Sequence, residues 1–563
     1  MKAYSKGTVG PLLETTIGQH LEQVVANDPN QLALVMPHQN IRWSYAQFNQ
    51  RIDELAAGLL AVGIEPGDRV AIWSPNRYEW ILSQFATAKI GAIMVCINPA
   101  YRLYELEFVL NKVSCKTIIS AHRFKTSLYL DMLNELAPEL RSCEPGHLDS
   151  TTLPHLKTVI RMGEEKTPGM YNFADVVAMG GEAQVVKLEL LRSSLDANDV
   201  VNIQFTSGTT GSPKGAALSH RNILNNAYSC GVKMRFTSSD KLCIPVPLYH
   251  CFGMVMGTLC CVAHGATMVL PAEVFDPQST LAAVASEQCT ALHGVPTMFL
   301  SELNVSDLAT YDLRSLRTGI IAGATCPEDL MRRLIAEMGL KEIVIAYGQT
   351  ECSPVNHATE IDDSFTQRTT TVGRPNNNWE SKIIDPETGQ LCDTGETGEV
   401  CARGYGVMSA YWGEEARTAE TIDTDGYLHS GDLGEMDDLG YVKITGRIKD
   451  MIIRGGENIY PKEIEEFLCR HPDILEAQVF GVPDSKYGEA VAAWVQIQDG
   501  ASLQTSSIAH YCDGQITHFK TPKYCKFVSE FPMTVTGKIQ KFVMRDAYSE
   551  ELGLSAATSS VNP

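Results

Sequence analysis

The segment that most restricts the possible folds of this chain is a glycine-rich loop that directly follows a run of apolar residues. The loop reads Thr206-Ser207-Gly208-Thr209-Thr210-Gly211-Ser212-Pro213-Lys214-Gly215 and follows VVNIQF at residues 200–205. Glycines let backbone N–H groups surround an anion, hydroxyls donate hydrogen bonds, and Lys214 adds positive charge. A flexible surface loop is the ordinary alternative, but this composition directly after a strand favours an anion site. The loop is not of the Walker A type, because Lys214 lies between Pro213 and Gly215 and is not followed by Ser or Thr.

The residues before this loop alternate between predicted helices and predicted strands. Ser44 suits the N-cap of a helix with apolar residues at helical spacing from Tyr45 to Leu60, and Gly63 ends it. Residues 69–73 and 92–97 read as buried strands, with a helix at 80–90 between them. Strands that alternate with helices indicate parallel sheets covered on both faces, and therefore an α/β fold.

The pattern of predicted secondary structure changes in the last third of the sequence. Short strands between Asp, Gly and Pro turns predict a β-rich subdomain at about 372–448. A further α/β unit begins near Lys449, where Pro461 suits the first position of a helix. We therefore expect an N-terminal domain at 1–448, a C-terminal lid domain at 449–554 and a loose tail at 555–563.

Charge and cysteine content exclude several classes of protein. The 563 residues include 46 Lys+Arg and 67 Asp+Glu, a net charge of −21, which argues against a nucleic-acid partner. The 16 cysteines are scattered without a C-x-x-C pair, as expected of free thiols in a reducing compartment and not of a zinc site. The N-terminus has no signal or transit pattern, and the apolar stretch at 251–263 is too short to span a bilayer. We expect a cytoplasmic protein with no transmembrane segment.

Five further motifs follow the loop in a fixed order. They are residues 247–253 (PLYHCFG), 346–351 (AYGQTE), 427–432 (YLHSGD), 446–461 (GRIKDMIIRGGENIYP) and 532–539 (PMTVTGKI). With the loop, they make nearly the whole chain resemble the adenylate-forming superfamily, which includes acyl-CoA synthetases, luciferases and peptide-synthetase adenylation domains. The run from Lys449 to Pro461 is most similar to medium-chain fatty-acyl-CoA synthetases.

The resemblance implies a fold and a reaction. The fold is a multi-subdomain α/β one, with a large N-terminal domain and a small mobile α+β C-terminal domain. The reaction is an ATP-dependent acid:CoA ligation, in which the carboxylate attacks the α-phosphate, pyrophosphate leaves, and the CoA thiol then displaces AMP. Because both reactants of the first step are anions, positioning and charge neutralisation account for most of the catalysis.

The resemblance also implies catalytic roles. Lys538 matches the lysine that bridges the carboxylate and α-phosphate oxygens, although most lysines are simply solvated. Glu351 matches a Mg²⁺ ligand, with Thr206 assisting, since a hard cation prefers carboxylate and hydroxyl oxygens. A charge at a helix start is the ordinary alternative for Glu351.

Nucleotide contacts are implied in four segments. Tyr347 is expected against adenine with Gly323 and Ala324 beside it, Asp432 on both ribose hydroxyls, and Arg447 on the ribose or phosphate. The full set expected to bind ATP or AMP is Thr206, Ser207, Gly208, Thr209, Thr210, Gly211, Ser212, Pro213, Lys214, Gly323, Ala324, Tyr347, Gly348, Gln349, Thr350, Asp432, Arg447 and Lys538.

Two further roles concern the second half-reaction. Lys449 matches the hinge about which the C-terminal domain rotates between half-reactions. Gly455 and Gly456 match the loop that approaches the pantetheine arm of CoA. Taken alone, two adjacent glycines would be only a hairpin turn.

The sequence specifies the residues of the acid pocket less directly than those of the nucleotide site. His250, Phe252 and Gly253 are expected to begin a helix that bounds the acid pocket, and Gly294 is expected to flank it. His250 gates the pocket, contacts the carboxylate or caps the helix. Residues 248–270 contain no Asp or Glu, which disfavours an amino-acid substrate. The apolar side chains nearby suit an alkyl chain and a plain core equally well. The resemblance to medium-chain fatty-acyl-CoA synthetases makes a medium-chain fatty acid the first expectation.

Several alternatives stay open. An aryl or other specialised carboxylate–CoA ligase is one, and a non-catalytic nucleotide-binding homologue is another. Free CoA is expected as the acceptor in preference to a carrier protein. A homodimer is left open.

Overall fold

A computed structural model of the chain describes residues 1–206, 213–324, 326–454, 457–484, 486–498, 500–513, 515–516, 518–534 and 539–554. Contacts divide the chain into two units. The large unit comprises residues 6–380 and 402–428, and the small unit comprises residues 1–5, 381–401 and 429–563. The predicted domain boundary after residue 448 stays a prediction.

Sheet A of the large unit contains eight strands. In spatial order they are Tyr171–Asn172, Thr158–Arg161, Thr117–Ser120, Arg69–Trp73, Ile93–Cys96, Val200–Thr206, Lys214–Ser219 and Ala410–Tyr411. The first six run parallel, and the last two are antiparallel to their neighbours. Arg69–Trp73 and Ile93–Cys96 are almost entirely buried, as expected of parallel strands covered on both faces.

Sheet B, also in the large unit, contains nine strands. In spatial order they are Arg374–Pro375, Val355–Ala358, Glu342–Gly348, Thr318–Ile321, Ala291–Leu292, Lys241–Cys243, Thr267–Val269, Leu32–Met36 and Ile41–Ser44. The strands from Glu342–Gly348 to Leu32–Met36 are parallel, and those at both edges are antiparallel. A two-stranded hairpin, Arg123–Phe124 with Ser127–Leu128, completes the β-structure described in this unit.

Helices connect and cover these sheets. They are Ile17–Asn27, Tyr45–Ala61, Tyr78–Lys89, Leu103–Lys112, Tyr129–Leu136, Phe173–Ala178, Glu182–Ser194, His220–Lys233, Phe252–Leu259, Cys260–His264, Pro277–Glu287, Pro296–Leu303, Glu328–Glu337, Phe365–Thr370 and Glu415–Thr421. The predicted start at Ser44 is confirmed, because its hydroxyl accepts the Gln47 N–H while the Gln47 side chain returns to the Ser44 N–H. The stretch at 251–263 is buried helix.

The small unit contains sheet D and most residues of sheet C. In sheet C the strands follow the spatial order Tyr4–Lys6, Trp379–Ile384, Gly398–Gly404, Leu428–Met436 and Val442–Arg447. In sheet D the order is Glu457–Ile459, Ile452–Arg454, Gly488–Ile497 and Ile474–Asp484. A fifth strand of sheet D, Tyr524–Phe527, pairs with Gly488–Ile497. Three helices accompany sheet D, at Pro461–Leu468, Thr505–Cys512 and Lys541–Glu551. Pro461 occupies the predicted first position of its helix.

The α/β fold expected from the alternating pattern is confirmed. All 16 cysteines are free thiols and most are buried, as predicted. Among the described residues, no helix combines the length and the apolar composition needed to cross a bilayer.

Candidate active site

The glycine-rich loop connects two antiparallel strands of sheet A. Thr206 ends one strand and lies opposite Lys214, which begins the next. A side chain at Gly215 would lie 2.9 Å from Ile203, so the strands pack closely at the base of the loop. Ser207, Gly208, Thr209, Thr210, Gly211 and Ser212 lie outside the described residues, and their nucleotide contacts stay predictions. The described ends bring the Lys214 ammonium and the Thr206 hydroxyl to the same end of sheet A.

Glu351 lies close to the strand that leaves this loop. It belongs to a 3₁₀ turn, Thr350–Cys352, that packs against the strand Lys214–Ser219. Its side chain is buried, and its backbone carbonyl accepts the Met408 N–H at 2.8 Å. A carboxylate here and the Thr206 hydroxyl are hard oxygen donors, which fit a Mg²⁺ ion.

Tyr411 is a member of this site that sequence reasoning missed. Its hydroxyl donates to Glu351 Oε1 at 2.7 Å, and the Lys214 ammonium lies 4.9 Å from its ring centroid. Tyr411 is 60 positions from Glu351 in the chain, so no local pattern could reveal the contact.

Three predicted residues lie at the carboxyl ends of neighbouring parallel strands of sheet B. Gly294 follows Ala291–Leu292, Gly323 follows Thr318–Ile321, and Tyr347 lies near the end of Glu342–Gly348. Ligands of open α/β sheets bind beyond such strand ends. Gly323 has φ +87°, a conformation that favours glycine, and both it and Ala324 are exposed.

The Tyr347 ring is held against the neighbouring antiparallel strand. Tyr347 is half-buried and pairs with His357, whose ring lies 5.8 Å away in an edge-on arrangement. Burial lowers the pKa of His357 to about 3, so this imidazole stays neutral. Gly348, Gln349 and Thr350 connect Tyr347 to the turn that holds Glu351.

The predicted acid-pocket helix is a π-helix, Phe252–Leu259. His250 caps it: its Nδ1 accepts the Phe252 N–H at 3.3 Å, and its carbonyl accepts the N–H groups of Gly253 and Met254. A β-carbon at Gly253 would lie 2.3 Å from the Pro247 carbonyl oxygen, so only glycine permits this approach. The hydrogen bond to Phe252 agrees with a capping role, and the gating and carboxylate-contact roles of His250 stay predictions.

Carbonyl groups of this helix bond to side chains. Met254 O accepts from Thr258 Oγ1 at 2.7 Å and Gln84 Nε2 at 3.3 Å, and Met256 O bonds His293 Nε2 at 2.9 Å. His293 Nδ1 accepts the Ile320 N–H, which places its proton on Nε2. Burial lowers its pKa to about 4. Sequence reasoning missed His293, which connects the helix to sheet B.

In the small unit, Asp432 and Arg447 are paired across sheet C. Their strands are antiparallel with these residues opposite each other, and Arg447 Nε lies 3.0 Å from Asp432 Oδ1. Asp432 is buried, while the Arg447 side chain is 41% exposed. The structural ion pair considered for Arg447 is therefore present.

Glu399 supports the part of strand Leu428–Met436 that precedes Asp432, and it was also missed. Its two carboxylate oxygens bond different residues of this segment: Oε1 accepts the Gly431 N–H at 2.9 Å, and Oε2 lies 2.9 Å from His429 Nδ1. Cys401 Sγ lies 3.7 Å from the same nitrogen. Although these three donors lie within 4.8 Å of one another, the direct Glu399–His429 bond accounts for the cluster without a metal.

The remaining predicted residues lie in the small unit. Lys449 is exposed in a short 3₁₀ turn, Ile448–Asp450. Lys538, Gly455 and Gly456 lie outside the described residues, so their roles stay predictions.

Comparison with protein families gives two matches. The model described as AMP-binding enzyme matches residues 21–412, and that described as AMP-binding enzyme C-terminal domain matches residues 463–538. The chain is also 45% identical over 546 residues to the mitochondrial medium-chain acyl-CoA ligase ACSF2 of Danio rerio, covering 97% of this chain and 90% of that protein.

Solved structures give the same result. ATP-bound MatB from Rhodopseudomonas palustris has a TM-score of 0.82 at 30% identity and covers 95% of this chain and 99% of its own. The anthranilate CoA ligase AuaEII in complex with anthranoyl-AMP has a TM-score of 0.84 at 25% identity and covers 97% and 99%.

Proposed function

This chain belongs to the AMP-binding enzyme family and is a ligase that forms acyl-CoA from an acid, ATP and CoA, and we propose that its acid is a medium-chain fatty acid. The observation that supports this most strongly is the 45% identity, over 97% of the chain, with a medium-chain acyl-CoA ligase. The buried, apolar helix Phe252–Leu259, in a segment without Asp or Glu, agrees with an uncharged acyl chain.

The first half-reaction joins two anions, so the chain must supply positive charge and hydrogen-bond donors locally. In the proposed arrangement, Lys214 and the loop N–H groups bind the ATP phosphates, and Glu351 and Thr206 hold Mg²⁺. The bound ion would neutralise phosphate charge. Lys538 would contact the carboxylate and the α-phosphate oxygens, where charge develops during attack.

The nucleoside contacts proposed for the other residues follow from their chemistry. Tyr347 offers an aromatic face for adenine next to Gly323 and Ala324. Asp432 can accept one hydrogen bond from each ribose hydroxyl, because a carboxylate has two oxygens. The Arg447 guanidinium, 3.0 Å from Asp432 Oδ1, would hold this carboxylate in place.

The second half-reaction needs the thiol of CoA to reach the acyl-adenylate. Gly455 and Gly456 are proposed to permit close approach of the pantetheine arm, and Lys449 to serve as the hinge. A cytoplasmic location and a homodimer stay predictions, which cell fractionation and light scattering can test.

An aryl acid is the second candidate, since AuaEII is an anthranilate CoA ligase with a TM-score of 0.84. A panel of straight-chain acids of graded length, together with benzoate and anthranilate, separates the two candidates. AMP release is measured for each acid with and without CoA.

The expected result is CoA-dependent AMP release that is largest for acids of about octanoate length and weak for the aromatic acids. A methylene group contributes about 0.8 kcal/mol when buried, so activity should rise by several-fold with each added CH₂ until the pocket is filled. A preference for anthranilate or benzoate would overturn the medium-chain proposal. ATP–pyrophosphate exchange at background for every acid would instead support a non-catalytic nucleotide binder.

A further inference from the structure

Tyr411 lies in a rigid position beside the glycine-rich loop. It belongs to the two-residue strand Ala410–Tyr411, which is antiparallel to Lys214–Ser219 with Tyr411 opposite Ala216. Backbone bonds hold both flanks, because the Trp412 N–H donates to the Gly215 carbonyl at 2.8 Å and the Ser409 N–H to the Ala217 carbonyl at 2.9 Å. Tyr411 itself is 3% exposed. The ring is therefore fixed relative to the strand that begins with Lys214.

The hydroxyl of this ring holds one oxygen of Glu351. The O–H donates to Oε1 at 2.7 Å, an ordinary length for an O–H···O hydrogen bond. Because the hydroxyl hydrogen is directed at Oε1, the ring engages one carboxylate oxygen and not Oε2, which is the oxygen proposed to bind a cation.

The face of the same ring meets the Lys214 ammonium at 4.9 Å. Attraction between a cation and an aromatic ring does not neutralise the cation. The ring therefore restrains Lys214 without neutralising its charge.

We propose that Tyr411 is a positioning residue that orients Glu351 for a divalent cation through its hydroxyl and Lys214 for ATP phosphate through its ring. The inference rests on the proposed function, in which Glu351 and Lys214 have these tasks. It adds a physical link between the two, made by one side chain that touches neither the cation nor the acid.

The two parts of this role can be separated by substitution. Tyr411→Phe removes the hydroxyl and keeps the ring beneath Lys214, whereas Tyr411→Leu removes both. Tyr405→Phe is the matched control, because Tyr405 is also buried in the large unit and its hydroxyl donates to the Asn225 carbonyl at 3.3 Å.

Binding is measured by calorimetry in the full chain with α,β-methylene-ATP, which cannot be cleaved, once with saturating Mg²⁺ and once with EDTA. Partners that hold a metal ligand typically affect metal affinity by about 10- to 100-fold. Mg²⁺ is expected to increase the affinity for α,β-methylene-ATP. We expect Tyr411→Phe to raise by about 10-fold the Mg²⁺ concentration that gives half of this increase, and to leave the affinity in EDTA unchanged. Tyr411→Leu should weaken binding in EDTA as well, and Tyr405→Phe should change neither.

Equal weakening by Tyr411→Phe with and without Mg²⁺, together with a lower melting temperature, would show a merely structural role and overturn the proposal. Glu351→Gln separates this failure from a failure of the proposed function. If Glu351→Gln abolishes the Mg²⁺-dependent increase in nucleotide affinity and Tyr411→Phe keeps the wild-type increase, only the inference about Tyr411 is wrong. If Glu351→Gln also keeps the wild-type increase, the assignment of Glu351 as the cation ligand is wrong.

Discussion

At the scale of single residues, Lys538 has the most sharply defined task proposed for this chain. Adenylation brings a carboxylate to a phosphate, and a positive charge between them lowers that barrier. Thioester formation starts from acyl-AMP, in which the carboxylate is already esterified. The two half-reactions therefore place different demands on this lysine.

We predict that Lys538→Ala lowers adenylation by about 100-fold or more, the typical cost of losing a group that stabilises transition-state charge. Thioester formation from supplied acyl-AMP should change little. ATP–pyrophosphate exchange measures the first step, and CoA-thioester release from synthetic acyl-AMP measures the second.

Lys541→Ala is the matched control, since Lys541 lies three positions on and pairs with Glu465 at 2.5 Å. It should leave both half-reactions near the wild-type rate. Equal loss of both half-reactions in Lys538→Ala would contradict the assigned role.

At the scale of elements, short turns and one irregular helix hold the polar groups of the candidate site. The π-helix Phe252–Leu259 persists because its carbonyl groups find side-chain donors in Thr258, Gln84 and His293. The strand segment before Asp432 depends in a similar way on Glu399, which bonds His429 and the Gly431 N–H. Each of these two elements is held in part by side chains from elsewhere in the fold.

We predict that Glu399→Ala weakens selection for the ribose hydroxyls, because Asp432 would no longer be held in the geometry that meets them. The measurement is the ratio of kcat/KM for ATP to that for 2′,3′-dideoxy-ATP. A hydrogen bond to a charged group contributes about 1.5–3 kcal/mol, so this ratio should fall by about 10-fold.

Asp432→Asn should lower the same ratio, and Glu399→Gln should have an intermediate effect because an amide can still accept the Gly431 N–H. Glu435→Ala is the control, since Glu435 lies on the same strand but accepts from Thr397 Oγ1 at 2.7 Å. An unchanged ratio in Glu399→Ala would refute the supporting role.

At the scale of the whole molecule, buried histidines connect stability to pH. Burial lowers the pKa of His220 and of His293 to about 4 and that of His357 to about 3, while an unfolded histidine titrates near 6.5. The unfolded chain therefore binds more protons than the folded chain between about pH 6.5 and pH 4, and the stability from the three neutral histidines is lost as pH falls. Burial raises the pKa of Glu302 and of Glu476, which act in the opposite direction. Burial also lowers the pKa of His20, His38 and His264, which act in the same direction as the three histidines above.

We predict that the melting temperature falls between pH 7 and pH 5. Each histidine contributes up to about 2 kcal/mol to this loss, because only about 1.5 pH units separate its unfolded pKa from pH 5. His293→Gln should make the pH dependence shallower, even though it lowers stability at pH 7 by removing two hydrogen bonds. His147→Gln, at an exposed position, should leave the dependence unchanged. If the melting temperature depends on pH as steeply in His293→Gln as in the wild type, His293 is excluded as a source of this pH dependence.

The sequence by itself determined the family, the α/β class, the order of the site motifs and the local caps. These features depend on residues close together in the chain: the helix start at Ser44 needs only Gln47 three positions on, and Thr206 and Lys214 flank one short loop. Motif order is likewise readable without a structure. The acyl-CoA ligase class was predicted on these grounds and is confirmed.

Only the tertiary structure decided which side chains support the site. Tyr411 meets Glu351 across 60 positions, His293 meets Met256 across 37, and Glu399 meets His429 across 30. Each contact depends on which strands and helices become neighbours, and in what register, which spacing along the chain does not encode. The net charge of −21 illustrates the same division. The charge, read from the sequence alone, argues against a nucleic-acid partner. The position of Lys214 over the Tyr411 ring, in contrast, depends on the pairing of strand Ala410–Tyr411 with strand Lys214–Ser219.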